Sequence, residues 1–263
     1  MSQKRISSTK YTPRPTSSTA TYVLAAVAVV VVVIVVVVAI VWQRGDDAPR
    51  NDGYGSVKNS AVEVVVLADG VVQLAIPQAV KSSSADSEPP GPTPMVDIFE
   101  DPMCPFCGQL EVEYGQELAQ KMDEGVLGVR YHLVVLPQLD AASASGNYSS
   151  RAVAASHCVA ESDNAIVYSA FHSTLFSADF QPAENGDNDH SDAELADMAR
   201  ENGASDEAVR CITSGAMAET AAADADTARA ALASTGAAGT PGVLVDGQIV
   251  EALRDSGWVE SIG

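Results

Sequence analysis

The hydrophobic pattern of the chain begins with one uninterrupted apolar block. Residues 22–42 contain no charged residue and are mostly valine. As a helix this block would extend about 31 Å, which matches the hydrocarbon core of a bilayer. A lone strand would leave its backbone polar groups unpaired in lipid, so the block predicts a transmembrane helix. A cleaved secretory signal is the alternative, although the apolar core of a signal is usually about 7–15 residues long.

The charges that flank the block predict its orientation. Four basic residues and no acidic residue precede it, and Asp46 and Asp47 follow it. Because positive flanks stay in the cytoplasm, residues 1–21 are expected inside the cell and the rest of the chain outside it, with a single crossing of the cell membrane. Residues 43–60 are polar and rich in glycine and turn formers, which predicts a linker. The folded domain is expected to occupy residues 61–263.

The first part of this domain has short strand-like runs. Residues 62–67 and 71–76 are apolar and flank Asp69-Gly70, a pair typical of hairpin turns. A polar, proline-rich loop over residues 81–94 follows, and then a short strand over residues 95–99. The next apolar positions recur every four residues, which predicts a helix after Cys107 that buries one face. These positions are Leu110, Tyr114, Leu118 and Met122.

The second part is alanine-rich and predominantly helical. Residues 129–136 predict a buried strand, and residues 149–235 have room for four or five helices. One of these helices begins at Ser191, where Ser-Asp-Ala-Glu forms a capping box, after a polar loop over residues 181–190. Strands over residues 242–245 and 248–250 and a short helix over residues 252–262 complete an α/β order. The helical insertion spans approximately residues 140–235.

Composition changes this picture in one respect. Residues 43–263 contain all 35 acidic residues and only 11 of the 15 basic ones. Binding to nucleic-acid phosphates needs clustered Lys or Arg side chains, so nucleic acid is not an expected partner. An acidic, solvated surface is the simplest interpretation.

The strongest chemical signal is Cys104-Pro105-Phe106-Cys107 at the start of a predicted helix. Backbone N–H groups at a helix start stabilise a thiolate, which is the nucleophile in thiol–disulfide exchange. Cys104 is therefore the expected nucleophile and Cys107 the second, less exposed thiol. Pro105 fits the first turn because no hydrogen bond is lost there. Phe106 brings no positive charge, so backbone dipoles are expected to provide most of the stabilisation.

The four cysteines are also compatible with other roles. A CxxC can also bind zinc or form a structural disulfide, but no second close pair and no suitably spaced histidine accompanies it. No metal and no cofactor are therefore expected. Three disulfide pairings are possible for four cysteines, and pairing within the CxxC leaves Cys158 with Cys211 as a structural bridge.

Two segments resemble those of DsbA-like oxidoreductases of the thioredoxin superfamily, in particular the membrane-anchored members of actinobacterial envelopes. They are residues 97–108, DIFEDPMCPFCG, and residues 239–247, GTPGVLVDG. The resemblance implies a thioredoxin fold with a helical insertion over residues 61–263. It also implies that Pro241 is cis and that Thr240 and Pro241 face the substrate. Many such proteins place a buried acid before the motif, for which Asp97 is the nearest candidate, although a solvent-facing Asp97 is equally compatible.

The function implied by the resemblance is disulfide formation in reduced, exported proteins through Cys104 and Cys107. A membrane redox partner must then reoxidise the pair. Reduction or isomerisation of envelope disulfides would use the same residues at a lower potential. A redox-inactive module that only binds exported proteins is the third alternative.

Overall fold

The computed structural model of the protein describes residues 53–77 and 92–262. Several predicted segments lie outside the described residues. They are the cytoplasmic segment, the transmembrane helix over residues 22–42, most of the linker and most of the loop over residues 81–94. Within the described ranges, no helix combines the length and the apolar character needed to cross a membrane.

The centre of the fold is a six-stranded mixed sheet with the strand order β1-β2-β4-β3-β5-β6. Strands β3 and β4 pair in parallel, and every other neighbouring pair is antiparallel. The strands are β1 (Glu63–Val66), β2 (Val72–Ala75), β3 (Met95–Glu100), β4 (Gly128–Leu133), β5 (Gly242–Val245) and β6 (Gln248–Val250). The predicted hairpins β1-β2 and β5-β6 are both present.

Seven helices accompany the sheet in the described part of the chain. They are α1 (Pro105–Asp123), α2 (Pro137–Asp140), α3 (Tyr148–Ser162), α4 (Ala165–Leu175), α5 (Asp192–Glu201), α6 (Asp206–Ser214) and α7 (Ala218–Thr235). Helix α1 connects the parallel strands β3 and β4, as a parallel pair requires a crossover. Helices α3 to α7 agree with the four or five expected from the alanine-rich composition, and Ser191 caps α5 through the predicted capping box.

One hydrophobic core joins the sheet to the insertion. The four predicted apolar positions of α1 are all buried in it, in contact with side chains of the sheet and of α4. Among these side chains are Tyr168, Phe171 and Leu175 of α4, each fully buried. The insertion therefore shares its interior with the part of the domain that carries the CxxC.

The disulfide between Cys158 and Cys211 connects α3 to α6 inside the insertion. Its Cα atoms are 5.7 Å apart and the sequence separation is 53 residues. The bridge thus joins two insertion helices and includes neither cysteine of the CxxC.

The folded domain begins before Ala61, which corrects the predicted linker boundary. The backbone N–H groups of Lys58 and Asn59 donate to the Asp123 carboxylate at 2.8 and 3.0 Å. The Tyr54 hydroxyl donates to the same carboxylate, and Val57 is fully buried. The end of the predicted linker is therefore anchored on the last turn of α1.

Two predicted boundaries in the rest of the chain also differ. Residues 252–262 form successive turns rather than a helix. The Asp255 carboxylate accepts from the backbone N–H of Gly257, a local bond that competes with helix formation. Strand β4 ends at Leu133 rather than at residue 136, because the N–H of Leu136 donates to the Asp101 carboxylate in the turn after β3 instead of to a strand.

Candidate active site

The turn that leads from β3 into α1 is organised by Asp101. This carboxylate is fully buried and accepts hydrogen bonds from the N–H of Met103 at 2.8 Å, the N–H of Leu136 at 2.7 Å and the hydroxyl of Ser149 at 2.6 Å. Burial raises the pKa of Asp101 to about 6, although all three hydrogen bonds favour the ionised form. Asp101 thereby connects the turn before Cys104 to the loop after β4 and to α3, and these contacts hold the turn in place.

Cys104 immediately precedes the first turn of α1, and Pro105 is the first residue of that turn. The carbonyl of Cys104 accepts from the N–H of Cys107 at 3.0 Å and from the N–H of Gly108 at 3.2 Å. Both cysteines carry free thiols. Cys104 is 4% exposed and Cys107 is fully buried, so an incoming sulfur can reach only Cys104. Phe106 is 60% exposed and provides an apolar surface beside it.

The Thr240–Pro241 segment lies opposite the CxxC, at the start of β5. The sulfur of Cys104 is 3.4 Å from the carbonyl oxygen of Thr240, and the Thr240–Pro241 peptide bond is cis. Strand β5 pairs with β3 in antiparallel register, which brings Gly242 opposite Phe99. The sheet thus brings together the two segments that carried the family resemblance.

The environment lowers the pKa of Cys104 to about 6. The largest cause is a hydrogen bond from the Cys107 thiol. A hydrogen bond from the Thr240 side chain and the backbone N–H groups of Cys107 and Phe106 lower the pKa further. Burial acts in the opposite direction and raises it. The expectation that backbone dipoles dominate is therefore corrected. Burial, with the adjacent Cys104, raises the pKa of the Cys107 thiol well above its ordinary value.

Gln181, from the segment after α4, also holds the active-site turn. Its side-chain amide donates to the backbone carbonyls of Pro102 and Cys104, both at 3.0 Å. A Cβ atom at Gly108 would stand 2.3 Å from the side-chain oxygen of Gln181. Glycine at this position therefore leaves the space in which the Gln181 amide reaches the turn.

The buried acid beside the cysteines is Glu100, not the predicted Asp97. The side chains on the core-facing side of β3 alternate with period two and are fully buried: Val96, Ile98 and Glu100. Asp97 belongs to the opposite side, where its carboxylate binds Arg130 at 2.7 Å and His132 at 2.8 Å on β4. Asp97 is thus neutralised by its own partners and is turned away from the core-facing side.

Glu100 meets two further ionisable side chains inside the protein. The Nε2 atom of His172 lies 2.9 Å from Oε1 of Glu100 and 3.7 Å from Oε1 of Glu111. All three residues are buried. The possible metal-ligand atoms of these three side chains all lie within 4.8 Å of one another, so the cluster could hold a cation. It is the cluster of this kind found within the described ranges. The CxxC belongs to no such set in the described chain.

Sequence reasoning did not identify Glu100, Glu111, Gln181 or His172 as parts of the site. A period of two along β3 indicates Glu100, and Glu111 follows Cys107 by one helical turn on the same face of α1. The contacts of His172 and Gln181 depend on how the insertion packs, which no local pattern encodes.

Comparisons with known proteins identify relatives of this fold. The family model described as thioredoxin matches residues 92–262. The chain is 43% identical over 199 residues to the serine/threonine-protein kinase PknE of Mycobacterium tuberculosis, an alignment that covers 76% of this chain. It spans only about a third of that curated relative, 32% of its length.

Solved structures provide a second comparison. DsbA from Mycobacterium tuberculosis in its reduced form aligns with a TM-score of 0.55 and 32% identity, over 70% of this chain and 90% of that one. MdbA, a thiol-disulfide oxidoreductase from Corynebacterium matruchotii, aligns with a TM-score of 0.63 and 26% identity, over 80% of this chain and 94% of that one. Both structures have a DsbA-like fold that covers at least 90% of their own length.

Proposed function

Because the chain belongs to the thioredoxin family and is a DsbA-like protein disulfide oxidoreductase of the actinobacterial type, we propose that it introduces disulfides into exported proteins outside the cytoplasm. The observation that carries the direction is the lowered pKa of Cys104, about 6. A stabilised thiolate favours the reduced enzyme, and an enzyme whose reduced form is favoured is a stronger oxidant.

In the first step a thiolate of the reduced substrate attacks the sulfur of Cys104 in the oxidised enzyme. The Cys104–Cys107 bond breaks, a mixed disulfide forms at Cys104, and Cys107 leaves as a thiolate. Because burial raises the pKa of Cys107, this thiolate takes up a proton, for which the buried carboxyl of Glu100 is the donor. The backbone of Thr240 and Pro241 faces the reacting sulfur and is positioned to pair with the substrate peptide.

In the second step another substrate thiolate attacks the substrate sulfur of the mixed disulfide. Cys104 leaves as a thiolate, which its low pKa makes a good leaving group. The substrate has then lost two electrons to form its disulfide, and the enzyme holds them as a dithiol. A membrane partner that carries an oxidised disulfide or an equivalent two-electron acceptor must take them up before the next cycle.

The location rests on the sequence. A transmembrane helix over residues 22–42, with residues 1–21 in the cytoplasm, would hold the domain at the outer face of the cell membrane, where newly exported chains emerge. Labelling Cys104 in intact cells with a membrane-impermeant maleimide tests this orientation. Labelling only after cell lysis would contradict it.

Oxidative refolding of reduced ribonuclease tests the activity. The purified oxidised protein is expected to accelerate the recovery of ribonuclease activity, and the Cys104→Ala variant is expected to have no effect. If wild type and variant give the same rate, the proposed activity is refuted. The Cys107→Ala variant should accumulate mixed disulfides with its substrates, whereas a protein that only binds exported chains would form no covalent adduct.

The reduction potential distinguishes oxidation from reduction or isomerisation. Phe106 occupies an inner position of the CxxC and provides no charge to the thiolate. Strong oxidants of this kind have a reduction potential of about −120 mV, and a similar potential would support disulfide formation. Thioredoxin has a potential of about −270 mV, and a similar potential would make the protein a reductase.

A further inference from the structure

The side-chain amide of Gln181 bridges two backbone carbonyls of the turn that carries the reactive sulfur. Its Nε2 atom donates to the carbonyl oxygens of Pro102 and Cys104, both at 3.0 Å. An amide nitrogen has two N–H bonds, so both are used on this turn. Gln181 belongs to the helical insertion and lies 77 positions from Cys104 along the chain. A side chain of the insertion therefore holds the backbone of Cys104 directly.

The two carbonyls depend on this amide to different degrees. The carbonyl of Cys104 also accepts from the backbone N–H groups of Cys107 and Gly108, at 3.0 and 3.2 Å. Pro102 is buried, and a buried carbonyl needs a donor from the protein where water does not reach it. The Gln181 amide provides that donor. Loss of the amide would therefore release the turn at Pro102 and leave the carbonyl of Cys104 held from the α1 side alone.

Gly108 leaves the space that the amide occupies. A Cβ atom there would stand 2.3 Å from Oε1 of Gln181 and 3.2 Å from the backbone oxygen of Phe176. Gly108 lies inside α1 and has no positive φ, so its backbone conformation is open to any residue. Glycine weakens a helix relative to alanine, and the room that it gives to the amide accounts for its presence. Gly108 and Gln181 thus form a matched pair between α1 and the insertion.

The segment that carries Gln181 is itself held in place. The backbone N–H groups of Phe180 and Gln181 donate to the carbonyl of Ser177 at 3.1 and 2.9 Å. The ring of Phe180 stacks on that of His190, with centroids 3.8 Å apart and an angle of 9° between the planes. The Nε2 atom of His190 donates to the carbonyl of Phe180 at 2.7 Å. The amide therefore meets the turn from a fixed direction, as a group that positions another must.

We propose that Gln181 is a positioning residue of the exchange reaction, whose amide holds the backbone of Cys104 so that the sulfur of the reduced enzyme stays against its hydrogen-bond partners. One of these partners is the carbonyl of Thr240, 3.4 Å from the sulfur. The ionised sulfur is stabilised by the Cys107 thiol, by Thr240 and by the backbone N–H of Phe106. Each of these contacts depends on where the backbone of Cys104 places the sulfur.

The amide matters more in the reduced enzyme than in the oxidised one. In the disulfide, the covalent bond to Cys107 fixes the sulfur of Cys104. In the dithiol, the sulfur keeps its hydrogen bonds only while the backbone that carries it is held. Gln181 therefore stabilises the reduced form preferentially, and an enzyme whose reduced form is favoured is a stronger oxidant. This inference rests on the proposed function and gives the insertion a part in its redox equilibrium.

Equilibration of the full-length protein in detergent with glutathione tests the proposal. Two molecules of glutathione reduce the Cys104–Cys107 disulfide to the dithiol and form one glutathione disulfide, so electrons and protons balance. Acid quenching followed by peptide mass spectrometry gives the fraction of protein with a reduced CxxC. Gln181→Met keeps the length of the side chain and removes both N–H donors. Its equilibrium constant for reduction is expected to be about tenfold below that of wild type, the effect of about one hydrogen bond.

A double-mutant cycle tests the pairing of Gln181 with Gly108. Gly108→Ala places a Cβ against the amide and should lower the equilibrium constant as loss of the amide does. In a Gln181→Ala background the amide is already gone, so Gly108→Ala should have a much smaller effect. The contact of the new Cβ with the backbone oxygen of Phe176 is present in both backgrounds and cancels in the cycle.

Gln120→Met is the matched control. It removes an exposed amide near the other end of α1 that pairs with Glu124 at 2.9 Å. Its equilibrium constant should stay within about twofold of the wild-type value. Melting temperatures of the oxidised and reduced forms are recorded for every variant. A purely structural role of Gln181 would lower both melting temperatures equally and leave the equilibrium with glutathione unchanged.

Three outcomes would overturn the proposal. The first is an equilibrium constant of Gln181→Met within about twofold of wild type, and the second is a shift toward the reduced form. The third is a cycle in which the effects of Gly108→Ala and Gln181→Ala simply add. Failure of the proposed function is a separate result. Wild type would then not accelerate ribonuclease refolding, whereas its equilibrium with glutathione could still be compared with that of Gln181→Met.

Discussion

The sulfur of Cys104 lies 3.4 Å from the carbonyl oxygen of Thr240, although 136 residues separate them. Pairing of Phe99 with Gly242 joins the ends of β3 and β5, and the turn that leads to Cys104 and the segment that carries Thr240 both start from this end of the sheet. The reactive sulfur and the backbone expected to hold the substrate are therefore positioned by the same sheet. Reactivity at Cys104 depends on contacts from the whole domain as well as on the CxxC itself.

Asp101 is predicted to be essential for the stability of the active-site turn. All of its hydrogen-bond partners are donors, so Asp101→Asn would place an amide N–H₂ against at least one of them. We expect the free energy of unfolding to fall by about 1–3 kcal/mol, the usual cost of an unsatisfied buried group. Urea unfolding of the oxidised protein measures this. Asp226→Asn is the control, since that side chain is 69% exposed; equal effects of the two substitutions would contradict the role of Asp101.

The Cys158–Cys211 bridge is predicted to be structural. Its cysteines are separated by 53 positions in the sequence, which gives a chain-entropy contribution of about 4 kcal/mol. Replacing both cysteines by serine should lower the melting temperature markedly, with the rate of ribonuclease oxidation preserved because neither residue lies at the CxxC. A variant that keeps its melting temperature but loses turnover would instead implicate the bridge in electron transfer.

The segment before Ala61 is predicted to contribute to folding. Val57→Ala should lower the free energy of unfolding by about 2 kcal/mol, because the side chain is fully buried. Val65→Ala, at a position that is 43% exposed, is the matched control and should cost much less. Equal, small effects in denaturant titrations would mean that residues 53–60 behave as part of the linker.

The relative stability of the reduced form is predicted to increase with pH. The pKa of Cys104 falls from an ordinary value of 9.0 to about 6 on folding. When folding lowers the pKa of a group, its ionised form stabilises the folded protein. This stabilisation is complete at pH values above the pKa of the unfolded chain, and it is lost as the pH falls through the pKa of the folded protein. In the oxidised protein Cys104 does not titrate, and most other groups are common to both forms. Between about pH 5 and 9, the melting temperature of the reduced form should therefore rise relative to that of the oxidised form. A difference between the two melting temperatures that does not change with pH would contradict the lowered pKa of Cys104.

Local patterns predicted most of the fold. The two hairpins, the strand before the CxxC, the buried face of α1 and the cap at Ser191 all follow from short-range periodicity and turn chemistry. The helix predicted over residues 252–262 is wrong because a side-chain bond of Asp255 takes the place of a helical one. Boundaries were less predictable than elements, since tertiary partners such as Asp101 and Asp123 decide where a strand or a linker ends.

The site was predictable in its cysteines but not in its surroundings. The CxxC and Thr240–Pro241 are continuous motifs, so their residues could be named from the sequence. Choosing Asp97 over Glu100 was an error of register, and a period of two counted from Val96 and Ile98 corrects it. The contributions of His172 and Gln181 arise from packing of the insertion against α1, which depends on contacts between distant parts of the chain.

The most direct test of the central claim is the titration of Cys104 in the reduced protein, followed by ultraviolet absorbance of the thiolate and by the pH dependence of its alkylation. A midpoint near 6 is expected for wild type. Cys107→Ala should raise this midpoint, because it removes the hydrogen bond that stabilises the thiolate most. A wild-type midpoint near 9, the ordinary value for a cysteine thiol, would contradict an exchange mechanism based on a stabilised Cys104 thiolate.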